Sequence, residues 1–289
     1  MINYIYILIT IILFSTIEVV IKLLAGSIDV IFLSFLRFFI SGILFLIIDF
    51  KKFKLLEKKD FFNLLIISII GITIGFSCFN ISLKSTNASN AAVIFSINPI
   101  FSAIFAIYFY KEKFTLNKII GLIFGFIGVW ILNFGFGIIT FNKLIGPILT
   151  LISAITFAFY ITSCKKYNLK YGAIFTTGLT FTLGSIFYLP FINNFEIINF
   201  SKNIFYILYL SIFTTGIAYL CYFQGLKYLS IIVGTSLFYL KPIIATFLAI
   251  IFLNENIDIN FVIGIIIILF SLLITLNNKL FLKLQLNKI

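Results

Sequence analysis

Long apolar stretches, separated by short polar segments, follow one another along the chain. Each holds about 20 residues, the length that a helix needs to cross a hydrocarbon core of about 30 Å. The pattern predicts an all-α integral membrane protein with ten spanning helices, at residues 3–24, 30–49, 61–82, 89–110, 116–134, 145–163, 172–191, 203–224, 231–253 and 259–277. The first stretch carries Glu18 and Lys22 and has no basic segment before it, so we interpret it as a retained span and not as a signal peptide.

Positive charges lie in alternate connections between the predicted spans. If the N-terminus lies inside, the inner side holds 15 lysines, in the C-terminal tail and at residues 50–60, 111–118, 164–171 and 225–230. The outer side then holds only Lys22, Lys84, Lys143 and Lys202. Because lysine and arginine collect in cytoplasmic loops, both termini are predicted to lie inside.

A shift of 143 positions aligns the chain with itself. Between residues 71–132 and 214–275, about a quarter of the aligned positions are identical, more than the biased composition gives by chance. The matched rare residues are Cys78 with Cys221, Lys84 with Lys227, Pro99 with Pro242, Glu112 with Glu255 and Gly121 with Gly264. The alignment predicts two tandem repeats of five helices, at residues 1–138 and 144–289.

An odd number of spans in each repeat implies that the second copy crosses the membrane in the opposite direction to the first. Two inverted copies of one fold can exchange conformations, so that opening one side and closing the other are nearly equivalent states. The sequence therefore favours a carrier that works by alternating access. Duplication that serves packing alone is the alternative.

Composition excludes a soluble protein. Hydrophobic residues make up 62% of the chain and charged residues 10%, with a mean hydropathy of +1.21. The net charge of +12 is spread over short connections, so no nucleic acid partner is expected. The chain has no histidine, no phosphate-binding glycine loop and no cysteines at metal-binding spacing. We therefore expect no cofactor, no metal and no enzyme activity.

Two spaced sets of residues carry a family resemblance. The first runs from Leu36-Arg37-Phe38 through Lys84 and Asn98-Pro99 to Glu112 and Gly121, and the second runs from Gly225-Leu226-Lys227 through Lys241-Pro242 to Glu255 and Gly264. Together they resemble the EamA-type, ten-helix members of the drug/metabolite transporter superfamily. The resemblance implies secondary transport of small metabolites, often export of amino acids or related compounds, through a central cavity in a cell membrane. Two positions depart from the pattern, Phe14 in place of a common tryptophan and Thr180 opposite Arg37.

Three ionisable residues fall well inside predicted spans, where a charge is costly and usually faces a cavity or a partner. Glu18 and Arg37 lie at a similar depth, roughly 10 Å from the outer ends of their helices, so that the two could pair. A structural ion pair and a functional role in the cavity are both open for them. Lys241 falls at the centre of the ninth span with no acid predicted at its depth. We expect Lys241 to bind a substrate carboxylate or phosphate, with help from its repeat partner Asn98. The alternative is a lysine that binds carbonyls freed by Pro242.

Further candidates for the cavity wall lie on three spans. One face of the third span carries Thr73, Ser77, Asn80 and Lys84. An aromatic cluster in the eighth and ninth spans, around Gln224 and Lys241, comprises Tyr219, Tyr222, Phe223, Phe238 and Tyr239. Packing is the alternative for such residues, since the chain holds 39 Phe and 14 Tyr. Pro99 and Pro242 interrupt their spans at matching points and are predicted to act as kinks or hinges.

The expected partners are a small-molecule substrate and the lipid bilayer. Proton coupling stays open, and it would use Glu18, the only carboxylate expected to be buried. A homodimer also stays open, because Gly121, Gly125 and Gly128 form a small-residue face suited to helix packing. A membrane channel and a membrane-embedded or lipid-modifying enzyme are the competing functions. A channel needs a continuous polar pore, and an enzyme needs a catalytic cluster at a membrane face.

Overall fold

A computed structural model describes residues 2–24, 26–111, 116–134, 144–192, 197–228, 231–254 and 258–276. The regular secondary structure of these residues is helical throughout. The first half contains α1 (Ile2–Ser15), α2 (Ile17–Leu23), α3 (Val30–Ile48), α4 (Lys58–Ser68), α5 (Gly75–Ser82), α6 (Ala88–Phe95), α7 (Asn98–Tyr110) and α8 (Leu116–Phe134). A 3₁₀ helix (Phe50–Leu55) follows α3, and a π-helix (Ile69–Ile74) joins α4 to α5.

The second half contains α9 (Ile145–Tyr171), α10 (Ala173–Ile186), α11 (Ile197–Leu208), α12 (Ala218–Tyr228), α13 (Ile231–Ser236), α14 (Lys241–Leu253) and α15 (Ile259–Leu276). A π-helix (Tyr209–Ile217) joins α11 to α12. Two 3₁₀ helices, Leu189–Phe191 and Leu237–Leu240, follow α10 and α13.

Seven helices in the described part of the chain are long and apolar enough to cross a membrane. They are Ile5–Leu23, Val30–Ile48, Lys58–Ser82, Ala88–Tyr110, Ile145–Tyr171, Ala173–Phe191 and Lys202–Lys227. Two shorter apolar helices, Lys241–Leu253 and Ile259–Ser271, lie in the regions of the ninth and tenth predicted spans. The prediction of long apolar helices is thus confirmed at seven places, and the count of ten spans stays a prediction.

The helical breaks repeat with the same offset as the sequence. Helices α7 and α14 each have 13 residues and carry proline in the first turn, where a missing N–H costs nothing. They begin at Asn98 and Lys241, which are repeat partners. Each ends before a residue in the left-handed region, Lys111 with φ 53° and Asn254 with φ 52°. The π-helices also fall at corresponding places in the two halves.

Close helix crossings join the two halves. Helix α3 packs on α10, and α8 packs on α15. Both crossings use glycine, because a Cβ at Gly42 would lie 3.1 Å from the carbonyl oxygen of Gly178, and one at Gly128 would lie 3.1 Å from that of Gly264. Helix α1 of the first half also packs on α12 of the second, and α5 packs on α9.

Contacts between connections divide the bundle into two ends. At one end the Asn203 side chain donates to Ser27 Oγ at 3.2 Å. Gly146, at the beginning of α9, packs on Ser85 and Thr86, which lie in a connection that is predicted to be outside. At the other end Lys170 reaches Asp60 at 2.7 Å and also pairs with Glu57, between connections that are predicted to lie inside. Two connections that are predicted to lie inside therefore meet at one end, and the contacts at the other end involve connections that are predicted to lie outside.

The surface between these ends is strongly apolar. Large side chains such as Ile47, Phe205 and Phe247 are 68%, 77% and 63% exposed, respectively. Helices satisfy their own backbone groups and can present such side chains to lipid. This surface fits a protein that is embedded in a bilayer.

Candidate functional site

An ion pair at the centre of the bundle joins the two halves. Lys241 Nζ contacts Glu18 Oε1, and the two side chains are 2% and 0% exposed. Glu18 lies in the first turn of α2, directly after the turn at Thr16, and Lys241 begins α14. The prediction that Lys241 has no acid at its depth is therefore wrong. Glu18 pairs with Lys241 and not with Arg37, the partner considered from the sequence.

The surroundings of this pair combine polar groups with aromatic rings. Ser15 Oγ donates to the carbonyl oxygen of Lys241 at 3.3 Å. Lys241 Nζ lies 4.6 Å from the ring centroid of Phe95 and 5.7 Å from that of Phe79, which is within cation–π range. The second carboxylate oxygen of Glu18 has no hydrogen-bond partner among the described residues. The pair is thus held mainly by its own contact and by the rings.

Arg37 lies elsewhere on the same interface between the halves. It projects from α3 and is fully buried. Its Nε donates to Thr215 Oγ1 at 3.0 Å, in the π-helix between α11 and α12. Its guanidinium carbon lies 5.3 Å and 5.7 Å from the ring centroids of Phe38 and Phe76. Arg37 therefore contacts the second half through a hydroxyl and not through a carboxylate.

Aromatic side chains fill the space between the two cationic residues. Tyr219 packs edge-on against Phe14 and Phe181, with ring centroids 4.9 Å and 5.0 Å away. Tyr222 packs on Phe238 with centroids 4.8 Å apart. The hydroxyl groups of Tyr219 and Tyr222 are buried and have no hydrogen-bond partner in the described part of the chain. The cluster is therefore apolar except for these two tyrosine hydroxyl groups, whose hydrogen-bonding capacity is unused.

A small cavity lies against this cluster. Its volume is about 10 Å³, close to the space of a single water molecule. It is lined by Phe14, Ile17, Phe76, Phe79, Phe95, Phe157, Tyr219 and Lys241. Sites for small molecules usually offer about 300–1,000 Å³. The centre of the protein is thus closed in this conformation.

Other predicted site residues are scattered around the centre. Asn80 donates to Ser34 Oγ at 2.5 Å, and Ser77 is half-buried beside Tyr188. Asn98 donates to the carbonyl oxygen of Phe95 at 3.0 Å within its own helical break. The sequence predicts that Asn98 helps Lys241 to bind substrate. Asn98 does not line the cavity that contains Lys241, so this arrangement does not support their cooperation.

Gln224 is not part of the central cluster. It is exposed and lines a separate cavity of about 90 Å³ with Lys165, Asn168 and Lys227. Gln224 therefore does not line the cavity that contains Lys241, although the aromatic cluster is predicted from the sequence to surround both residues. The side chain of Tyr239 lies outside the described residues.

Three residues of the site, Phe157, Thr215 and Tyr188, are absent from the candidates predicted from the sequence. Phe157 contacts Phe14, Phe95 and Tyr219. Thr215 holds Arg37, and the Tyr188 hydroxyl donates to the carbonyl oxygen of Ile72 at 2.7 Å. A signal for Phe157 was present, because the repeat alignment places it on Phe14. No sequence signal distinguished Thr215 or Tyr188 from other polar residues in the spans.

A second buried carboxylate lies at one end of the bundle. Asp60 is 5% exposed and accepts hydrogen bonds from Lys170 and Tyr171, both at 2.7 Å. The expectation that Glu18 is the only buried carboxylate is therefore wrong. Within the described ranges no group of three His, Cys, Asp or Glu side chains is placed to hold a metal ion.

Known proteins resemble the chain over almost its whole length. Residues 1–134 and 144–277 each match the model of the EamA-like transporter family, with starts 143 residues apart. An uncharacterized transporter of Clostridium kluyveri is 31% identical over 295 residues, which cover 96% of this chain and 94% of that protein. The uncharacterized transporter YetK of Bacillus subtilis is 26% identical over 270 residues, 89% of this chain and 82% of that one.

A solved structure shares the fold. A crystal structure of another protein superposes with a TM-score of 0.72 at 16% identity, and the match covers 95% of this chain and 96% of that one. The likeness extends through both halves. The family matches and the seven apolar helices establish a multi-pass membrane protein, and the chain belongs to the EamA-like transporter family.

Proposed function

We propose that this transporter exports small organic metabolites, such as amino acids or related compounds, across the cell membrane by alternating access. In this proposal the chain has ten spans, with the second five-helix repeat inverted relative to the first. The observation that carries the proposal is the buried ion pair between Glu18 of the first half and Lys241 of the second.

A buried ion pair is a poor way to stabilise an interface. Well-packed apolar residues of similar size often stabilise a protein as well or better, because the pair must first lose its hydration. Ionisable residues inside membrane spans mark transport pathways more often than packing contacts. The pair also joins two halves that must move relative to each other in alternating access. When the centre opens, the ion pair is therefore suited to separate, so that Glu18 and Lys241 bind groups of the substrate in place of each other.

The matched helices support two equivalent conformations. Helices α7 and α14 begin after breaks at corresponding positions, and π-helices also interrupt both halves at corresponding places. Breaks of this kind allow the inner and outer parts of a span to move separately. Pro99 and Pro242 then serve as hinges at the starts of α7 and α14.

Two contacts near the starts of the halves support inversion. A Cβ at Gly234 would contact both Leu226 and Ile7. Ile7 of α1 therefore lies near the connection 225–230, which is predicted to lie inside. Gly146, near the beginning of α9, packs on Ser85 at the opposite end. Both contacts are consistent with inversion, which requires the first helix of each repeat to start at a different end of the bundle.

Metabolite profiling tests the proposal. Cells that express the wild type are compared with cells that express Lys241→Met, and any metabolite that changes outside the cells is then tested in proteoliposomes with and without a proton gradient. Lys84→Met, at an exposed lysine, is the control. We expect saturable transport by the wild type and the control, with a large loss in Lys241→Met. Flux that never saturates would favour a channel, and unchanged transport by Lys241→Met would contradict the role of the pair.

A further inference from the structure

Arg37 carries more hydrogen-bonding capacity than its surroundings use. The side chain is 0% exposed, and its Nη1 and Nη2 atoms have no hydrogen-bond partner among the described residues. Only Nε is engaged, by Thr215. Arginine keeps its proton in proteins, so this site holds a permanent buried cation with two free donor groups.

The charges at the centre of the bundle do not balance. Of the charged side chains that the structure buries, Asp60 belongs to the cluster at one end, and Glu18, Arg37 and Lys241 lie in the interior. Glu18 is engaged by Lys241, so that among the described residues one positive charge at the centre has no counter-ion. The rings of Phe38 and Phe76 lie within cation–π range of this charge, and they offset only part of the cost of burying it.

Groups suited to a ligand surround the same guanidinium. Tyr219, Tyr188 and Glu18 are its titratable neighbours. The ring centroid of Phe76, which also lines the small central cavity, lies 5.7 Å from the guanidinium carbon. The Tyr219 hydroxyl is buried without a partner in the described part of the chain, whereas the Tyr188 hydroxyl is engaged by Ile72. The ring of Tyr219 also forms part of the wall of the small central cavity. Tyr219 therefore links Arg37 to the space that has to enlarge when the centre opens.

We propose that Arg37 binds the carboxylate of the transported substrate through Nη1 and Nη2, and that the Tyr219 hydroxyl donates a further hydrogen bond to it. Two adjacent guanidinium nitrogens match the geometry of a carboxylate, which an ammonium group cannot do. The free Oε2 of Glu18 accepts from a substrate amino group where one is present. The aromatic cluster contacts the rest of the substrate, which is apolar or aromatic. This inference rests on the proposed function and names its substrate class.

The binding test uses matched acids and amides, which differ only in the carboxylate. The full-length protein in detergent is titrated with L-phenylalanine and L-phenylalaninamide, L-leucine and L-leucinamide, and 3-phenylpropanoate and its amide, and the thermal shift is recorded. We expect at least one acid to bind the wild type about tenfold or more tightly than its amide, because the amide loses a charge-assisted pair. Arg37→Gln should abolish this preference, and Arg37→Lys should retain only part of it.

Stability without ligand separates a binding role from a structural one. Removing a buried cation with unused donors should leave the melting temperature of Arg37→Gln unchanged or raised. The inference is overturned if no acid binds, if amides bind as well as acids, if Arg37→Gln keeps the preference, or if Arg37→Gln unfolds. Chloride is titrated in the same assay. If chloride binds and none of the acids does, the site belongs to an inorganic anion, and the inference is also overturned.

Transport separates this inference from the function on which it rests. If wild-type proteoliposomes carry a metabolite and Arg37→Gln carries it equally well, the carboxylate site is wrong and the carrier stands. If wild-type proteoliposomes carry none of the metabolites found by profiling, the proposed function itself fails. Loss of transport in Arg37→Gln, with folding retained, supports both.

Discussion

Gly42 and Gly178 face each other where α3 crosses α10. A Cβ at Gly42 would lie 3.1 Å from the carbonyl oxygen of Gly178, and one at Gly178 would lie 3.2 Å from that of Gly42. Backbone atoms cannot move aside as side chains can, so both positions require glycine at this distance. The crossing joins the first half of the chain to the second.

Gly42→Ala is expected to destabilise the protein. Its Cβ would also lie 2.7 Å from the backbone nitrogen of Thr182, and such overpacking costs about 1–3 kcal/mol. This exceeds the gain of up to about 1 kcal/mol that alanine gives in a helix. Gly216→Ala is the control, because the atom nearest to its Cβ would lie at 3.4 Å, an ordinary contact. Melting of both variants in detergent checks the prediction, and equal melting temperatures would contradict it.

Removing one member of the Glu18–Lys241 pair should cost more than removing both. Glu18→Gln or Lys241→Met leaves a buried charge without its partner, which costs about 3–5 kcal/mol. The double variant has no unpaired charge at this site and is expected to recover much of that loss. Melting temperatures of the wild type, the two single variants and the double variant form a cycle that measures the coupling. Additive losses would show that the two side chains do not interact.

Much of the helical architecture could be predicted from hydrophobic length, but the partner of Lys241 could not. The predicted depth assumed that each span is one straight helix with a uniform rise per residue. The turn at Thr16 and the 3₁₀ helix before Lys241 break that assumption in both spans. The long apolar stem of lysine also carries its charge well away from its own backbone. Residues at different predicted depths can therefore meet.

The polar face predicted on the third span shows a second limit. Thr73 donates to the carbonyl oxygen of Gly184 on α10, whereas Asn80 donates to Ser34 on α3. The π-helix Ile69–Ile74 lies within the same span and changes the rotation per residue that a regular helix would give. Periodicity along the sequence assumes a constant rotation, so it could place these residues in the interior but could not identify their partners.

Reporter fusions test the predicted orientation. Reporters in the connections 50–60 and 193–202 should lie on opposite sides of the membrane, the first inside and the second outside, because lysines concentrate in the first group of connections. A fusion in the connection 164–171 should behave like the first, since Lys170 pairs with Asp60. Activity that depends on cytoplasmic or external location provides the readout. Reporters at 50–60 and 193–202 on the same side would exclude the ten-span inverted arrangement.

Asp60→Asn is expected to open the end of the bundle at which Lys170 joins the halves. Asp60 is buried, so loss of its charge weakens the contacts with Lys170 and Tyr171 that are shielded from water. Cys164 lies on the same helix as Lys170 and is fully buried, which makes it a natural reporter once Cys78 and Cys221 are replaced by alanine. Its rate of maleimide labelling should rise several-fold in Asp60→Asn. Glu57→Gln is the matched control, because Glu57 is 62% exposed and a surface pair contributes only about 0–1 kcal/mol. Equal labelling of Cys164 in both variants would show that the buried carboxylate does not hold this end closed.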